Sequence, residues 1–275
     1  MSIVSAVLLG IIQGLTEFLP VSSSGHLALA HHFFPGADLG EGALTFDILL
    51  HLATLVAVFI VFHRDIFPMV PAFFRLIGKA CRGKRRLTDY DDSERMVLFL
   101  LIATLPLVLA VLIDDRVNAL SSYVRVVGGI LILNGLVLFL SDRIAKGQRT
   151  VSDIRPKHAF TVGLCQLCAI LPGLSRSGST ITGGRLCGFS REFAVKFSFI
   201  LSIPAILGAN VLQIPALITA PVPSTDIPAY LLGMLAAAVT GILAMKLLTY
   251  LSRKADFSVF SVYCVIVGLT AVIFG

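Results

Sequence analysis

Apolar residues run through this chain in long blocks, with the polar residues gathered between the blocks rather than alternating within them. Crossing the hydrocarbon core of a bilayer takes about 20 predominantly apolar residues in a helix. Blocks of that length lie at about 44–63, 95–113, 123–141, 193–213, 228–250 and 257–275, and they predict six transmembrane helices. Two further apolar stretches, about 2–34 and 158–190, are each split near the middle by Pro, Ser and Gly. Each half holds roughly 10–16 residues and, at about 1.5 Å per residue, reaches only part-way through the core. They read as re-entrant helix–loop–helix hairpins, since non-helical backbone at that depth requires protein or a water-filled cavity around it. The expected fold is all-α and polytopic: six transmembrane helices plus two re-entrant hairpins.

Composition agrees. The chain is 56% hydrophobic and 14% charged, with a mean hydropathy of +0.92, whereas a soluble domain carries roughly 25% charged residues. The net charge of +6 sits in a few loops between apolar blocks, so no nucleic-acid partner is expected. Met1–Ile12 lacks a basic n-region and Glu17 interrupts the apolar run, so no cleavable signal peptide is expected. Cys165 and Cys168 are spaced as C-x-x-C but lie in an apolar helical stretch, where they read as packing residues rather than zinc ligands.

Loop charges set the orientation. Arg64, Arg75, Lys79, Arg82, Lys84, Arg85, Arg86 and Arg95 lie between the first two spans; Arg143, Lys146, Arg149, Arg155 and Lys157 follow the third; Arg253 and Lys254 follow the fifth. The opposite connections hold Asp38, Glu41, Asp114, Asp115 and Asp226, with only Arg116 and Arg125 basic. The positive-inside rule puts the basic loops in the cytoplasm and both termini outside. Within the first of these loops, Ile66–Cys81 mixes phenylalanines with Arg75 and Lys79. It reads either as an interfacial amphipathic helix or, because Pro68 and Pro71 interrupt it, as a plain loop.

The two hairpins match each other at an offset of 153. Gly10, Gln13, Ser22, Ser24 and Gly25 fall on Gly163, Gln166, Ser175, Ser177 and Gly178. Each half, 1–142 and 143–275, is then a hairpin followed by three spans. An odd span count turns the halves upside down relative to each other, and such inverted repeats place a binding site near the midplane.

The polar residues inside the hairpins carry the candidate chemistry. Gln13 and Glu17, at i and i+4, share a helical face and could offer oxygen ligands to a hard cation such as Mg²⁺. His26 is a candidate base, acid or nucleophile, and Ser23 or a neighbour a candidate nucleophile or phosphate donor. In the second hairpin Arg176 would lie at membrane depth, where a charge is costly. Its guanidinium suits bidentate contact with phosphate oxygens, and the helix resuming after Ser177 directs its N-terminus at the same place. Metal, clamp and base together suggest phosphoryl transfer.

The stretches Gln13-x-x-x-Glu17, Pro20-Val-Ser-Ser-Ser-Gly-His26 and Pro172-Gly-Leu-Ser-Arg-Ser-Gly-Ser-Thr180 resemble the bacterial undecaprenyl-diphosphate phosphatase family of the bacitracin-resistance type. The likeness covers the whole chain, including Phe46-Asp-Ile-Leu-Leu-His-Leu-Ala-Thr54. It implies hydrolysis of undecaprenyl diphosphate to the monophosphate and inorganic phosphate, recycling the lipid carrier of peptidoglycan synthesis. It also implies bacitracin resistance, a divalent cation (Mg²⁺ or Ca²⁺), and an active site facing the outer side of the plasma membrane. By position, the acidic motif falls on Gln13 and Glu17 as metal residues. The Ser/His motif falls on Ser22, Ser23 and His26, and the Arg motif on Ser175, Arg176, Ser177 and Thr180 for the diphosphate. Gln13 stands where many members carry Glu, leaving the site one charge fewer for a metal. The attacking group, whether His26, a serine or water, is open at this stage, and so is a homodimer. Two alternatives stand beside this reading. One is a transporter or flippase, since broken helices in inverted repeats recur there. The other is a lipid phosphatase with a Ser-Gly-His motif, for which a downstream His-Asp pair is missing.

Overall fold

The computed structural model describes residues 1–33, 43–83, 86–112, 117, 119–143, 147–219, 224–254 and 256–275. Phe34, Asp38, Glu41, Lys84, Arg85, Ile113, Asp114, Asp115, Arg116 and Lys146, which entered the span and charge readings, lie outside them. Among the described residues the chain forms ten α-helices: α1 Ile3–Phe18, α2 Ser23–Phe33, α3 Ala43–Cys81, α4 Asp92–Thr104, α5 Val124–Arg143, α6 Pro156–Cys168, α7 Arg176–Leu186, α8 Arg191–Thr219, α9 Ile227–Lys254 and α10 Ser258–Phe274. The two interrupted stretches are the helix pairs α1–α2 and α6–α7, with their breaks at the predicted Pro/Ser/Gly runs.

Five of these segments are long and apolar enough to cross a membrane: Thr45–Cys81, Asp92–Leu112, Val124–Arg143, Arg191–Ile214 and Ile227–Lys254. The sixth predicted span, α10, is apolar but shorter at 17 residues. Large apolar side chains cover the outside, among them Leu112, Val259 and Phe274 at 79%, 73% and 71% exposure. A surface so apolar is suited to lipid rather than water. This is an all-α, multi-pass membrane protein.

Two elements differ from the expectation. The second block continues past Thr104 as a 3₁₀ segment, Leu105–Leu112, starting just before Pro106. Pro106 lacks the N–H that would continue the α-helical ladder, which gives way there although Leu105 itself stays helical (φ −52°, ψ −45°). The Ile66–Cys81 stretch is neither loop nor separate surface helix. It continues α3 beyond a break at Phe62 (φ −108°, ψ 21°), with Pro68 and Pro71 inside. Ala72 and Leu76 bury against Tyr90 and Val97. Arg75 pairs with Asp91 (3.0 Å) and Glu94 (3.2 Å), and Lys79 with Glu94 (2.6 Å). That burial and pairing hold the segment helical despite two missing N–H donors. Asp91 and Glu94 also form the capping box that starts α4.

Packing between helices relies on small residues, as it must where lipid removes the hydrophobic drive for association. α1 lies on α9 so closely that a Cβ on Gly14 would stand 2.1 Å from Thr240 Oγ1, and one on Gly10 2.1 Å from the Gly233 carbonyl. The core where α1, α3, α4, α8 and α9 meet is filled by Phe18, Phe62, Phe99, Phe199 and Met245. Phe18 meets Phe199 edge-on at 5.6 Å. This core fixes the C-terminal end of α1, and with it Glu17.

Candidate active site

The break after α1 follows from Pro20. Its predecessor, Leu19, is driven to extended backbone (φ −66°, ψ 145°), which ends the helix. Ser22 then adopts a left-handed conformation (φ 72°) before α2 starts at Ser23. The second break runs through Gly173, at φ +100°, and ends at Ser175, the N-cap of α7. The two turns touch: a Cβ on Gly25 would come within 3.0 Å of the Gly173 Cα. Residues related by the offset of 153 make the same contacts. Ser22 Oγ accepts from the Gly25 N–H (3.3 Å) and lies 3.3 Å from Ser24 Oγ; Ser175 Oγ accepts from the Gly178 N–H (3.1 Å) and lies 3.0 Å from Ser177 Oγ.

Asn134 of α5 joins the turns. Its Nδ2 donates to the Pro20 carbonyl (2.9 Å) and its Oδ1 accepts from the Ser175 N–H (3.0 Å), in full burial. An Asn134→Leu substitution leaves the Ser175 N–H buried and unpaired, at about 1–3 kcal/mol, and the Pro20 carbonyl with only the weak Cys264 thiol (3.9 Å). The expected result is a lower melting temperature in detergent together with weaker activity; an unchanged melting temperature would show that the bridge is dispensable.

Glu17 is the hub. Its side chain is 3% exposed. Oε1 pairs with the Arg176 guanidinium. Oε2 accepts from Ser23 Oγ (2.7 Å) and Gln13 Nε2 (3.0 Å) and faces His51 Nε2 at 3.7 Å. Glu17, Ser22, Ser23, Ser175 and Arg176 all line one cavity of about 470 Å³. The polar residues of two distant sequence motifs therefore converge at one place.

Four predicted residues do not reach that wall. Ser177 donates to the Leu19 carbonyl (3.2 Å), tying the turns together. Thr180 is buried against Ser198 (2.6 Å) and its own helix backbone. Gln13 sits behind Glu17, fully buried, with its amide donating to the carboxylate. His26 points elsewhere: Nδ1 meets the Ser22 carbonyl (2.8 Å), Nε2 meets the Tyr263 hydroxyl (2.8 Å), and the ring lies parallel to Tyr263 at 5.5 Å. A carbonyl only accepts, so Nδ1 carries the proton, and in the neutral ring Nε2 accepts from the tyrosine.

Other residues reach the cavity without having been singled out from the sequence for a role. Asp47, His51, His31 and Asn210 line it, as does Gln166, which had figured only as the repeat mate of Gln13. The available signal was Asp47-x-x-x-His51, two ionisable groups on one face of an otherwise apolar span. His51 Nδ1 is held by the Asp47 carbonyl (2.8 Å), which turns Nε2 toward Glu17.

A divalent cation has a partial donor set here. Gln13 Oε1 and Asp47 Oδ1 are buried acceptors without a partner, and Glu17 supplies a carboxylate. Among the described residues no group of three or more His, Cys, Asp or Glu is placed to hold a metal alone. The Glu17 and Asp47 carboxylates line the cavity, while Gln13 lies behind its wall. The pair of carboxylates is what fits a hard cation that completes its shell with phosphate and water, the usual habit of Mg²⁺.

A second cavity, of about 530 Å³, lies between the middle of α3, the starts of α4 and α8 and the C-terminal end of α9. Lys196 pairs there with Asp65 (2.6 Å) and Arg253 with Glu192 (3.2 Å), and none of the residues singled out in the two hairpins lines it.

Residues 6–270 match the family model described as bacitracin resistance protein BacA. The chain is 44% identical over 273 residues to a protein of Methanobrevibacter smithii, covering 98% of this chain and 96% of that one. It is 37% identical to a protein of Methanosphaera stadtmanae, covering 99% and 98% of the two chains. It is also 37% identical to a protein of Desulforapulum autotrophicum, covering 100% and 99%. All three relatives are named undecaprenyl-diphosphatase.

Proposed function

The chain belongs to the bacitracin resistance protein BacA family, and from that premise we propose how it acts. It hydrolyses undecaprenyl diphosphate to undecaprenyl phosphate and inorganic phosphate, so recycling the lipid carrier of peptidoglycan synthesis and conferring bacitracin resistance. The observation that carries the mechanism is the convergence of Glu17, Ser23 and Arg176 on one cavity between two broken helices.

In the free site Arg176 is held by Glu17. An arriving diphosphate replaces the carboxylate as partner of the guanidinium, which offers it a fork of donors. That exchange frees Glu17 to act as base on Ser23, whose hydroxyl already donates to Oε2. Ser23 Oγ attacks the terminal phosphorus, its proton passes to Glu17, and the bond to the bridging oxygen breaks. Glu17 passes that proton to the departing polyprenyl monophosphate and is a carboxylate again. Water then attacks the phosphoserine phosphorus, gives its proton to Glu17, and Glu17 returns it to Ser23 Oγ as inorganic phosphate leaves. Ser22 and Ser175 supply polar edges to the phosphate pocket. His26 is a positioning residue that holds the Ser22 carbonyl and so the left-handed turn before Ser23. A Mg²⁺ or Ca²⁺ ion, which Glu17 and Asp47 would hold, would neutralise phosphate charge, with Gln13 supporting Glu17 from behind.

The architecture proposed is six spans plus two re-entrant hairpins in inverted halves, 1–142 and 143–275. In its support, α1 packs on α9 as its repeat mate α6 packs on α4, and Gly10 and its mate Gly163 both stand against backbone carbonyls, those of Gly233 and Ala103. The cavity is proposed to open on the outer face of the plasma membrane. Its wall includes Asp47 near the start of α3, Leu107 after α4, Ser121 before α5 and Gln213 late in α8. All lie at helix ends remote from the basic residues Lys79, Arg143, Arg253 and Lys254, which favour the cytoplasm.

Purified protein in detergent, given Mg²⁺ or Ca²⁺ and a C55 or shorter isoprenyl diphosphate, should release phosphate, and EDTA should stop it. Release that is indifferent to EDTA would remove the metal from the account.

A further inference from the structure

Among the polar side chains of the cavity wall to which this mechanism gives no task are two with buried, unpaired amide donors. Gln166, on α6, is 2% exposed, and neither its amide nitrogen nor its amide oxygen has a hydrogen-bond partner. Asn210, on α8, is 9% exposed, and its Nδ2 is likewise buried and unpaired. Both line the 470 Å³ cavity that Glu17, Ser23 and Arg176 also line, and Ala169, Ile170, Ala205 and Ile206 belong to the same wall. A buried amide without a partner destabilises the folded protein. Two such amides on the wall of one ligand-sized cavity are explained if the ligand completes them.

Charge says what they would bind. A diphosphate carries two anionic groups, yet Arg176 is the single Arg or Lys among the described residues of this wall. One guanidinium fork satisfies one phosphate. The wall also holds His31 and His51, but His51 faces Glu17. With Glu17 and Asp47 repelling it, the other phosphate draws on neutral donors. Carboxamide N–H groups meet that need: they bond to phosphate oxygens and accept no charge that would hold the product too tightly.

We propose that Gln166 and Asn210 form a second phosphate subsite, donating to the phosphate that stays on the lipid while the terminal one is attacked at Ser23. The subsite rests on the phosphatase reading above and adds a basis for preferring diphosphate over monophosphate substrates.

Gln166→Met and Asn210→Leu keep the bulk of each side chain and remove its donor. Each purified variant is assayed with farnesyl diphosphate for kcat and KM, with inorganic phosphate as competing inhibitor, and its melting temperature is measured. The subsite predicts a KM raised about tenfold in each variant, the loss expected for one hydrogen bond to a charged group. Inhibition by inorganic phosphate, which needs only the Ser23–Arg176 end, should shift by less than about twofold on the same reasoning. An unchanged KM in folded variants, or phosphate inhibition weakened as much as KM, overturns the subsite. Should one variant fail to fold, the other carries the test alone. A wild-type protein that releases no phosphate overturns the phosphatase reading and the subsite with it, whereas an active wild type with unaltered variants overturns the subsite alone.

Discussion

Arg176→Ala should reduce phosphate release by at least about 10³-fold, the scale on which a phosphate-binding arginine contributes to phosphoryl transfer. The wall of the cavity offers no other Arg or Lys among its described residues. Arg176→Lys should recover little, because an ammonium keeps the charge but loses the planar fork. The loss has a second consequence. Removing Arg176 strands the Glu17 carboxylate, which is 3% exposed, and breaking a buried pair from one side costs about 3–5 kcal/mol. The melting temperature of Arg176→Ala should therefore fall, and adding Glu17→Gln should restore much of it while activity stays absent. Stability that recovers without activity separates the clamp from the scaffold. Full activity in Arg176→Ala would contradict the mechanism outright.

Glu17→Gln should lower kcat by about 10²–10⁴-fold, the usual worth of a positioned general base. The amide keeps the size and much of the hydrogen bonding around Ser23 and Gln13 but leaves Arg176 without its carboxylate. The melting temperature is therefore measured alongside kcat to separate lost folding from lost chemistry. Glu17→Ala should lose at least as much, and extra Mg²⁺ should restore it only in part, since the carboxylate serves the serine as well as a cation. Complete rescue by metal would show that Glu17 acts as a ligand alone.

The helices, their order and the two breaks were legible because the bilayer imposes a length rule and because Pro20, Pro172 and their serines violate it visibly. Glu17, Ser23 and Arg176 stood out for a related reason: ionisable groups at membrane depth need a task or a partner. What the sequence did not convey was rotation. Ser23 and His26 lie three residues apart, yet Tyr263, more than two hundred residues later, captures the imidazole and leaves the serine to Glu17. Asn134 looked like one polar residue in an apolar span, and only the fold shows it bridging both turns. Asp47 and His51 were quoted for their likeness to a family rather than for chemistry, because their approach to Glu17 depends on how α3 packs. Pro68 and Pro71 suggested an interruption, which tertiary contacts at Ala72 and Leu76 override.

The most direct measurement is the product balance of one reaction: purified wild-type protein, a polyprenyl diphosphate and Mg²⁺, with both products counted. A phosphatase yields inorganic phosphate and polyprenyl monophosphate in equal amounts, in proportion to enzyme and absent from Arg176→Ala. Diphosphate recovered intact, bound or moved across a liposome membrane with no phosphate released, would contradict the account and make the protein a transporter.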